Sequence, residues 1–218
     1  MKTMNKIKSS ASPFSKAGEA FLLFLAFLLP LVIIAFSIES SDRTMACLLM
    51  LFSGWLTWTF IEYFNHRFRM HGSGDTSKII GYDRHIQHHH HPTELKITGA
   101  QRVILFAGNI GLIILCILYK NWIFLFTGLY TGFVIYTLMH WFLHRKLSAK
   151  LFPEVHRFHI HHHCKHPDKC FGITITWWDH LFGTIPRQQR EITDRIKAFY
   201  YKEKHRMADK SDVSLELV

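Results

Sequence analysis

Apolar residues are concentrated in four long runs, and these runs determine the fold class that the sequence predicts. They cover residues 20–38, 45–61, 103–119 and 122–143, and the first three contain no charged side chain. A helix of 17 residues rises about 26 Å, just short of a typical hydrocarbon core. The pattern therefore predicts an all-α integral membrane protein with about four transmembrane helices. Buried core helices of a soluble protein are the alternative, but four such runs leave little polar surface to cover them.

Basic residues follow the ends of these runs. The chain carries a formal net charge of +10, and 24 of its 26 Lys and Arg lie in 1–19, in 65–102 or after residue 143. The positive-inside rule places these three segments on the cytoplasmic side. We expect a bacterial inner membrane or endoplasmic reticulum protein with its cap on the cytoplasmic face. Nucleic acid is not an expected partner, because the charge follows the membrane flanks.

The remaining segments divide the chain into three parts. We expect a cytoplasmic leader at 1–19, a single membrane-embedded domain at 20–206 and a disordered tail at 207–218. Within 187–206, apolar residues share one helical face, which is typical of a helix lying on the membrane or against the cap, and equally of an ordinary surface helix. That face contains Ile192, Ile196, Phe199 and Tyr200.

Histidines carry the candidate chemistry. Sixteen of the 17 lie between His66 and His180, mostly in the clusters HRFRMH, HIQHHHH, HWFLH and HRFHIHHH. Imidazole is a good ligand for iron, zinc, copper and nickel. The predicted topology brings all four clusters to the cytoplasmic membrane face, where a helical cap would hold them. The candidate metal ligands are His66, His71, His85, His88, His89, His140, His144, His159, His162 and His163.

The spacing of these ten residues indicates how they are used. Two clusters contain HxxHH and one contains HxxxH, and such spacings place side chains on one side of a helix. His66 and His71 are five positions apart, which spreads them around an α-helix and predicts that they reach two different ions. Ten imidazoles exceed the six positions of one octahedral ion, so the pattern predicts a dimetal site. Second-sphere, surface or alternative roles are left open for His90, His91, His156, His161 and His166, whereas His180 and His205 have no ligand spacing.

Three acidic residues are candidates for orienting the ligands. Glu62 lies one turn before His66 and could accept its free N–H. Asp83 and Asp179 could do the same for other imidazoles, which would fix their tautomer and orientation. Each of these acids could equally be an ordinary helix cap or a surface residue.

The motifs resemble those of a known family. HRFRMH preceded by EY, then HxxHH, HWFLH, and HIHHH followed by FGITITWWDHLFGT, resemble the fatty acid hydroxylase/sterol desaturase superfamily, and most of all the fatty acid 2-hydroxylases that act on sphingolipid acyl chains. The resemblance covers about residues 54–186. It implies a dinuclear centre held by ten histidines, and these fall on the ten positions that spacing selects.

This resemblance also implies a reaction. It indicates an O2-dependent membrane monooxygenase with two iron ions, or zinc in the isolated protein, that hydroxylates a lipid acyl chain at C2. The sequence contains no HPGG motif of the haem domain found in many relatives. We therefore expect electrons from a separate donor such as cytochrome b5, or ferredoxin with a reductase.

The substrate is expected to enter from the bilayer. Four aromatic residues are candidates for the wall of its groove, although tryptophans also belong at membrane interfaces regardless of substrate. They are Trp141, Phe142, Trp177 and Trp178.

Other functions remain open. A sterol desaturase, a sphingoid-base hydroxylase or a carotenoid hydroxylase would belong to the same superfamily. Membrane acyl-CoA desaturases usually lack a separate HxxxH before the last HxxHH, and His140 and His144 argue against them. A non-catalytic metal transporter or sensor is a remote alternative. Transport usually needs polar ligands inside the membrane, and the interiors of these runs contain few.

Overall fold

The long apolar runs form helices, and no strand occurs in the part of the chain that the structure describes. The computed structural model describes residues 44–72, 82–93, 99–118, 123–187 and 191–201, with eight helical positions between 21 and 32. For residues 116 and 117 it describes the backbone but not the side chains. The predicted leader, the predicted tail and His205 lie outside the described residues, as does most of the first predicted span.

Eight α-helices and one π-helical turn have described bounds, in addition to the helical positions between 21 and 32. The prediction of an all-α protein is confirmed for these residues. The helices are α1 (Thr44–Phe64), which continues into the π turn (Asn65–Met70), α2 (Tyr82–His90), α3 (Gly99–Leu118), α4 (Ile123–Leu143), α5 (Ser148–Leu151), α6 (Pro153–Cys164), α7 (Trp177–Leu181) and α8 (Asp194–Tyr200).

Helices α1 and α4 pack against each other through glycines. A Cβ atom added at Gly54 would overlap the backbone carbonyl of Leu125, and one added at Gly128 would overlap that of Leu51. Small residues allow two helix backbones to approach this closely, as is common in membrane proteins. This contact fixes both the distance and the register of the two helices.

The register makes α1 and α4 parallel. Gly132 lies against Trp58, an offset of 74 residues, and the same offset separates His66 from His140. Contacting positions increase together along both helices, so their C-terminal ends lie side by side. The first and third His clusters therefore meet at one end of the helix pair, as the sequence predicts.

Helix α3 completes the apolar layer. The hydroxyl of Tyr130 on α4 donates to the Leu105 carbonyl on α3 at 2.9 Å, and the Tyr130 ring fills the space beside Gly108. Only four residues separate α3 from α4, and a connection this short makes neighbouring helices antiparallel. The buried core of this layer consists of Ala26, Cys47, Leu105, Leu112, Ile123, Phe124, Tyr130, Phe133 and Val134.

The exposed surface of these helices is apolar. Two described helices, Thr44–Met70 and Ile123–Leu143, are long and apolar enough to cross a membrane, whereas the apolar stretch Gly99–Leu115 is shorter. Only 17% of the apolar window of the first is buried within the chain. A core helix of a soluble protein would bury most of that surface, so the exposed side chains indicate a membrane-associated protein. Two of the four predicted spans thus meet the criteria for a membrane helix.

Helices α5 to α8 form a cap over the ends of α1 and α4. Helix α6 carries the last His cluster, and α8 packs against it through Ile196 and Tyr200, which contact Ile160 and Cys164. The apolar face predicted for residues 187–206 is therefore turned towards the cap. Of the placements that the sequence left open for this helix, the structure shows the one against the cap.

Candidate metal centre

The ten candidate ligands come together as two sets of five. Within each set, one ligand atom per histidine lies within 4.8 Å of all the others. The structure therefore brings together every residue that spacing selected. The first His group contains His66, His71, His85, His89 and His162, and the second His group contains His88, His140, His144, His159 and His163.

The π turn explains why His66 and His71 share the first His group. On an α-helix, residues five apart are rotated by roughly 140°. Residues Asn65–Met70 instead form a π-helix, whose hydrogen bonds run from i to i+5. This widened turn brings His66 and His71 to the same side. The prediction that these two residues reach different ions was wrong, because it assumed α-helical geometry.

Each HxxHH triplet is divided between the two groups. On α2, His85 and His89 belong to the first His group and His88 to the second. On α6 the assignment is reversed, since His162 joins the first group while His159 and His163 join the second. Residues at i and i+4 stay together, and the residue at i+3 points to the neighbouring group. Both helices therefore connect the two groups.

The distances between ligand atoms fit a metal ion. In the first His group, the Nε2 atom of His85 lies 3.0 Å from that of His66, 2.6 Å from that of His71 and 3.0 Å from that of His89. An octahedral ion with metal–nitrogen bonds of about 2.1 Å places adjacent ligand atoms about 3.0 Å apart. The observed distances are close to this value.

The second His group has matching distances. The Nε2 atoms of His88 and His140 are 3.1 Å apart, and those of His144 and His159 are also 3.1 Å apart. The first contact joins α2 to α4, and the second joins the residue that follows α4 to α6. Each group is therefore assembled from segments that are distant in the sequence, and each has the donor set and spacing that an ion requires.

Burial keeps the imidazoles neutral. It lowers the pKa of His71 and of His89 to about 3, and neighbouring histidines contribute to the shift. Burial alone lowers the pKa of His88 to about 4. A metal ion binds the neutral form of imidazole. These ligands are therefore already unprotonated near pH 7.

Backbone carbonyls orient two imidazoles of the first His group. Nδ1 of His66 lies 2.6 Å from the Phe171 carbonyl oxygen, and Nδ1 of His162 lies 2.7 Å from that of Lys169. Because a carbonyl only accepts, each Nδ1 carries the proton and each Nε2 presents a lone pair to the centre. The sequence gave no signal for these partners, since main-chain carbonyls occur at every residue.

Asp179 fixes the segment that supplies the Phe171 carbonyl. Its buried carboxylate accepts hydrogen bonds from the amides of Phe171 and Gly172, both at 2.8 Å, and from the Thr184 hydroxyl at 2.6 Å. Burial raises the pKa of this carboxyl, and the three hydrogen bonds oppose that shift. Asp179 thus acts on His66 through Phe171, rather than by direct contact with an imidazole.

Glu62 holds the next part of the same segment. Its buried carboxylate accepts hydrogen bonds from the amides of Ile173 at 2.8 Å and Thr174 at 2.7 Å. The expectation that Glu62 accepts the N–H of His66 is therefore corrected, because Phe171 occupies that position. The third predicted acid, Asp83, is exposed in the first turn of α2. It makes no hydrogen bond to any histidine within the described segments.

The other histidines have separate environments. His90 and His91 are exposed, and His180 is exposed near Glu154, with 3.6 Å between Nε2 and Oε1. His161 is buried, and its ring centroid lies 6.2 Å from that of His166. His156 is buried away from both groups and contacts Ser148 and Tyr201.

The aromatic residues predicted to line a groove occupy two different places. Trp141 is exposed, Phe142 packs against Phe152, and Trp178 packs against Phe60 and donates its indole N–H to Thr59. Trp177 is exposed on α7. No ring contact links the α4 aromatics to those of α7 in the described ranges. An apolar groove between α1 and α4 is lined instead by Leu48, Leu51, Phe52, Trp55, Gly128 and Thr131.

Comparisons with a family profile and with individual proteins point to the same family. The sequence profile described as "Fatty acid hydroxylase" matches residues 51–184. Dihydroceramide fatty acyl 2-hydroxylase FAH2 of Arabidopsis thaliana is 32% identical over 145 residues, which are 61% of this chain and 59% of that protein. The ceramide very long chain fatty acid hydroxylase scs7 of Schizosaccharomyces pombe is 31% identical over 156 residues, covering 66% of this chain and 45% of that protein.

A solved structure agrees with the sequence matches. The hydroxylase domain visible in full-length scs7p superposes with a TM-score of 0.57 and 27% identity, covering 78% of this chain and 67% of that one. The chain spans less than two thirds of the length of the Arabidopsis and fission yeast relatives. The region that the family profile matches begins within α1 and ends before α8.

Proposed function

Because this chain belongs to the fatty acid hydroxylase family, we propose that it is a membrane-bound, O2-dependent lipid hydroxylase with two iron ions in its two His groups. The observation that carries the proposal is the convergence of five neutral imidazoles on each of two points. Packing alone does not require ten histidine side chains to direct their ring nitrogens inward. Two adjacent metal ions account for both the number and the direction of these nitrogens.

The proposed reaction converts a C–H bond at C2 of an acyl chain into C–OH. One oxygen atom of O2 enters the lipid and the other leaves as water, which requires two electrons and two protons. Bound iron would supply the redox chemistry, whereas zinc has no redox activity and would give an inactive form. The electrons would come from a separate donor of the cytochrome b5 type, or from ferredoxin with its reductase.

The residues of the chain have three tasks in this reaction. The ten imidazoles provide neutral nitrogen ligands at fixed positions. The Phe171 and Lys169 carbonyls hold the Nδ1 protons of His66 and His162, so that both Nε2 lone pairs point inward. The buried cap keeps bulk water from the centre, which protects a strongly oxidising reaction from side reactions.

The position of the site relative to the membrane supports a lipid substrate. Helices α1 and α4 are parallel, and the His groups lie at their C-terminal ends. The apolar groove lined by Leu51, Trp55 and Gly128 runs between the same two helices. The groove ends about two to three helical turns before His66 and His140, so a long acyl chain would have to extend from it along the helix pair to bring its carbonyl end to the two groups. A carbon near that carbonyl would then be the one held closest to the metals.

We propose the N-acyl chain of a sphingolipid, or the corresponding fatty acid, as the substrate. Both the Arabidopsis and the fission yeast relatives are described as acting on ceramide-type acyl chains. By the positive-inside rule, the basic segments support a cap on the cytoplasmic face of a membrane that four helices would cross. The direction of α3, opposite to α1 and α4, is consistent with that topology.

Lipid mass spectrometry tests the proposed function directly. Cells expressing the wild-type chain are compared with cells expressing His140→Ala, under isotopically labelled dioxygen. The proposal predicts lipids that gain one labelled oxygen at C2 of the acyl chain only with the wild type. Labelled oxygen on a sterol, a sphingoid base or a carotenoid would instead assign another branch of the superfamily. Zinc binding with no oxygen incorporation would support a transporter or sensor.

A further inference from the structure

Helix α8 lies beyond the region matched by the family profile, which ends at residue 184. We propose that this helix completes the metal centre, with Tyr200 as a positioning residue for the second His group. The inference rests on the proposed metal centre. It assigns to the C-terminal part of the chain a role that neither the motifs nor the matched region contain.

Tyr200 is in direct contact with the second His group. Its side chain is fully buried. The ring centroid of Tyr200 lies 4.8 Å from that of His144, 5.7 Å from that of His163 and 6.3 Å from that of His159. No ring contact joins Tyr200 to the first His group in the described parts of the structure. One side chain from α8 therefore packs against three of the five imidazoles in one group.

The hydroxyl of Tyr200 fixes the backbone beside one of these ligands. It donates a hydrogen bond to the Leu143 carbonyl at 3.0 Å. Leu143 is the last residue of α4 and immediately precedes His144. This carbonyl belongs to the helix terminus, where carbonyls lack partners within the helix. Tyr200 thus constrains both the imidazole ring of His144 and the main chain that carries it.

The neighbouring tyrosine reaches the same carbonyl through a histidine. The Tyr201 hydroxyl lies 2.8 Å from Nε2 of His156. Nδ1 of His156 lies 3.1 Å from the Leu143 carbonyl and 2.7 Å from Oγ of Ser148. With the proton on Nδ1, His156 donates to the carbonyl and accepts from Tyr201. Tyr200, the last residue of α8, and Tyr201, which follows it, are therefore both connected to the end of α4.

The second His group needs this packing more than the first. In the first group, carbonyls of Phe171 and Lys169 orient two rings. In the second group, four Nδ1 atoms are buried without a hydrogen-bond partner in the described part of the chain. They belong to His88, His144, His159 and His163. Contact with the Tyr200 ring therefore restricts the rotation of three imidazoles that no Nδ1 hydrogen bond holds, those of His144, His159 and His163.

The stoichiometry and affinity of zinc binding to the purified chain test the inference. Wild type equilibrated with Zn2+ should bind two ions. Tyr200→Leu, which removes ring and hydroxyl, should weaken only one site, by about 10- to 100-fold, the usual effect of removing a ligand's support. Tyr200→Phe keeps the ring and should lower the zinc affinity of that site less. Lys197→Ala, an exposed change on the same helix, should retain both ions.

Two ligand variants identify which site responds. His71→Ala removes a ligand of the first His group, so the remaining ion should occupy the second group. Adding Tyr200→Leu, or Tyr200→Phe if the leucine variant does not fold, should weaken that remaining ion. In His140→Ala the remaining ion occupies the first group, and the same addition should change nothing.

Other outcomes overturn the inference. If Tyr200→Leu left the zinc affinity of both sites unchanged, Tyr200 would have no role in positioning the metal ligands, and the proposed function would still stand. Equal weakening in the His71→Ala and His140→Ala backgrounds would make Tyr200 a general stabilising residue. A wild-type protein that binds no metal would overturn the proposed centre itself, together with the role of α8.

Discussion

Nδ1 of His66 lies 2.6 Å from the carbonyl oxygen of Phe171, a residue 105 positions further along the chain. Through this contact, the segment of the cap that contains Phe171 sets the orientation of a candidate ligand just beyond the end of α1. The segment is itself held by Asp179, which binds two of its amides. A carboxylate with no contact to the ligands thereby controls the geometry of the first His group.

The first prediction concerns Asp179. In Asp179→Asn, one acceptor oxygen becomes an NH2 group that faces a main-chain N–H, so the segment around Phe171 loses a hydrogen bond. We expect metal affinity of the first His group to fall by about 10- to 100-fold, and that of the second to change little. Metal titration measures this difference. Asp83→Asn, at an exposed position, is the control, and an equal loss in both variants would contradict the assignment.

The second prediction concerns the ligands. His140→Ala and His162→Ala remove one imidazole from the second and the first His group, respectively. We expect each to abolish lipid hydroxylation, because an ion that lacks a ligand is bound weakly and in altered geometry. Both proteins should remain in the membrane fraction, since the apolar helices are unchanged. His90→Ala should retain activity. Wild-type activity in His140→Ala or His162→Ala would show that the residue is not a ligand.

The third prediction concerns pH. The pKa values of His71 and His89 are lowered to about 3 and that of His88 to about 4, chiefly by burial. The unfolded chain binds protons near pH 6.5, whereas the folded chain does not. Stability of the metal-free protein is therefore lost as pH falls from 6.5 towards 4, by about 1.4 kcal/mol per pH unit for each histidine.

Chemical denaturation of the metal-free protein at pH 7.5 and pH 5.0 measures this effect. His89→Ala should reduce the difference in unfolding free energy between the two conditions. Equal stability at both pH values would mean that the imidazoles are not buried in neutral form.

The fourth prediction concerns the contact between α1 and α4. In Gly128→Val, the added side chain meets the Leu51 carbonyl, which is main chain and cannot rotate away. We expect a loss of about 1–3 kcal/mol or more in stability from overpacking, and reduced activity because the ends of the two helices shift. Thermal unfolding in detergent provides the measurement. Gly111→Ala is the matched control, since a Cβ there meets nothing within 4 Å, and equal destabilisation of the two variants would contradict the proposed packing.

Periodicity was sufficient to select the ten candidate ligands that the structure brings together. Spacings of three and four residues reflect the repeat of the α-helix, and every residue chosen in this way lies in one of the two groups. Parallel placement of α1 and α4 also follows from the predicted topology, because the second and fourth of four successive spans run in the same direction. These features depend on local repeats and on the hydrophobic pattern, both of which are visible in a single sequence.

Features that depend on distant contacts, or on local departures from α-helical geometry, were not predictable. The π turn that unites His66 with His71 is a local departure from α-helical geometry with no clear sequence signal. Glu62 contacts residues more than 100 positions away, so its proximity to His66 in sequence was misleading. Tyr200 was recognised only as part of an apolar helical face. Its contact with the second His group depends on how α8 docks on the cap.

Anomalous X-ray diffraction from the metal-loaded protein tests the central claim most directly. The account predicts two separate peaks, each surrounded by the five imidazoles of one His group at about 2.1 Å. His66 and His71 should ligate the same ion, and His88 should ligate the other. A single peak, or two peaks with His66 and His71 on different ions, would contradict the arrangement on which the proposed chemistry depends.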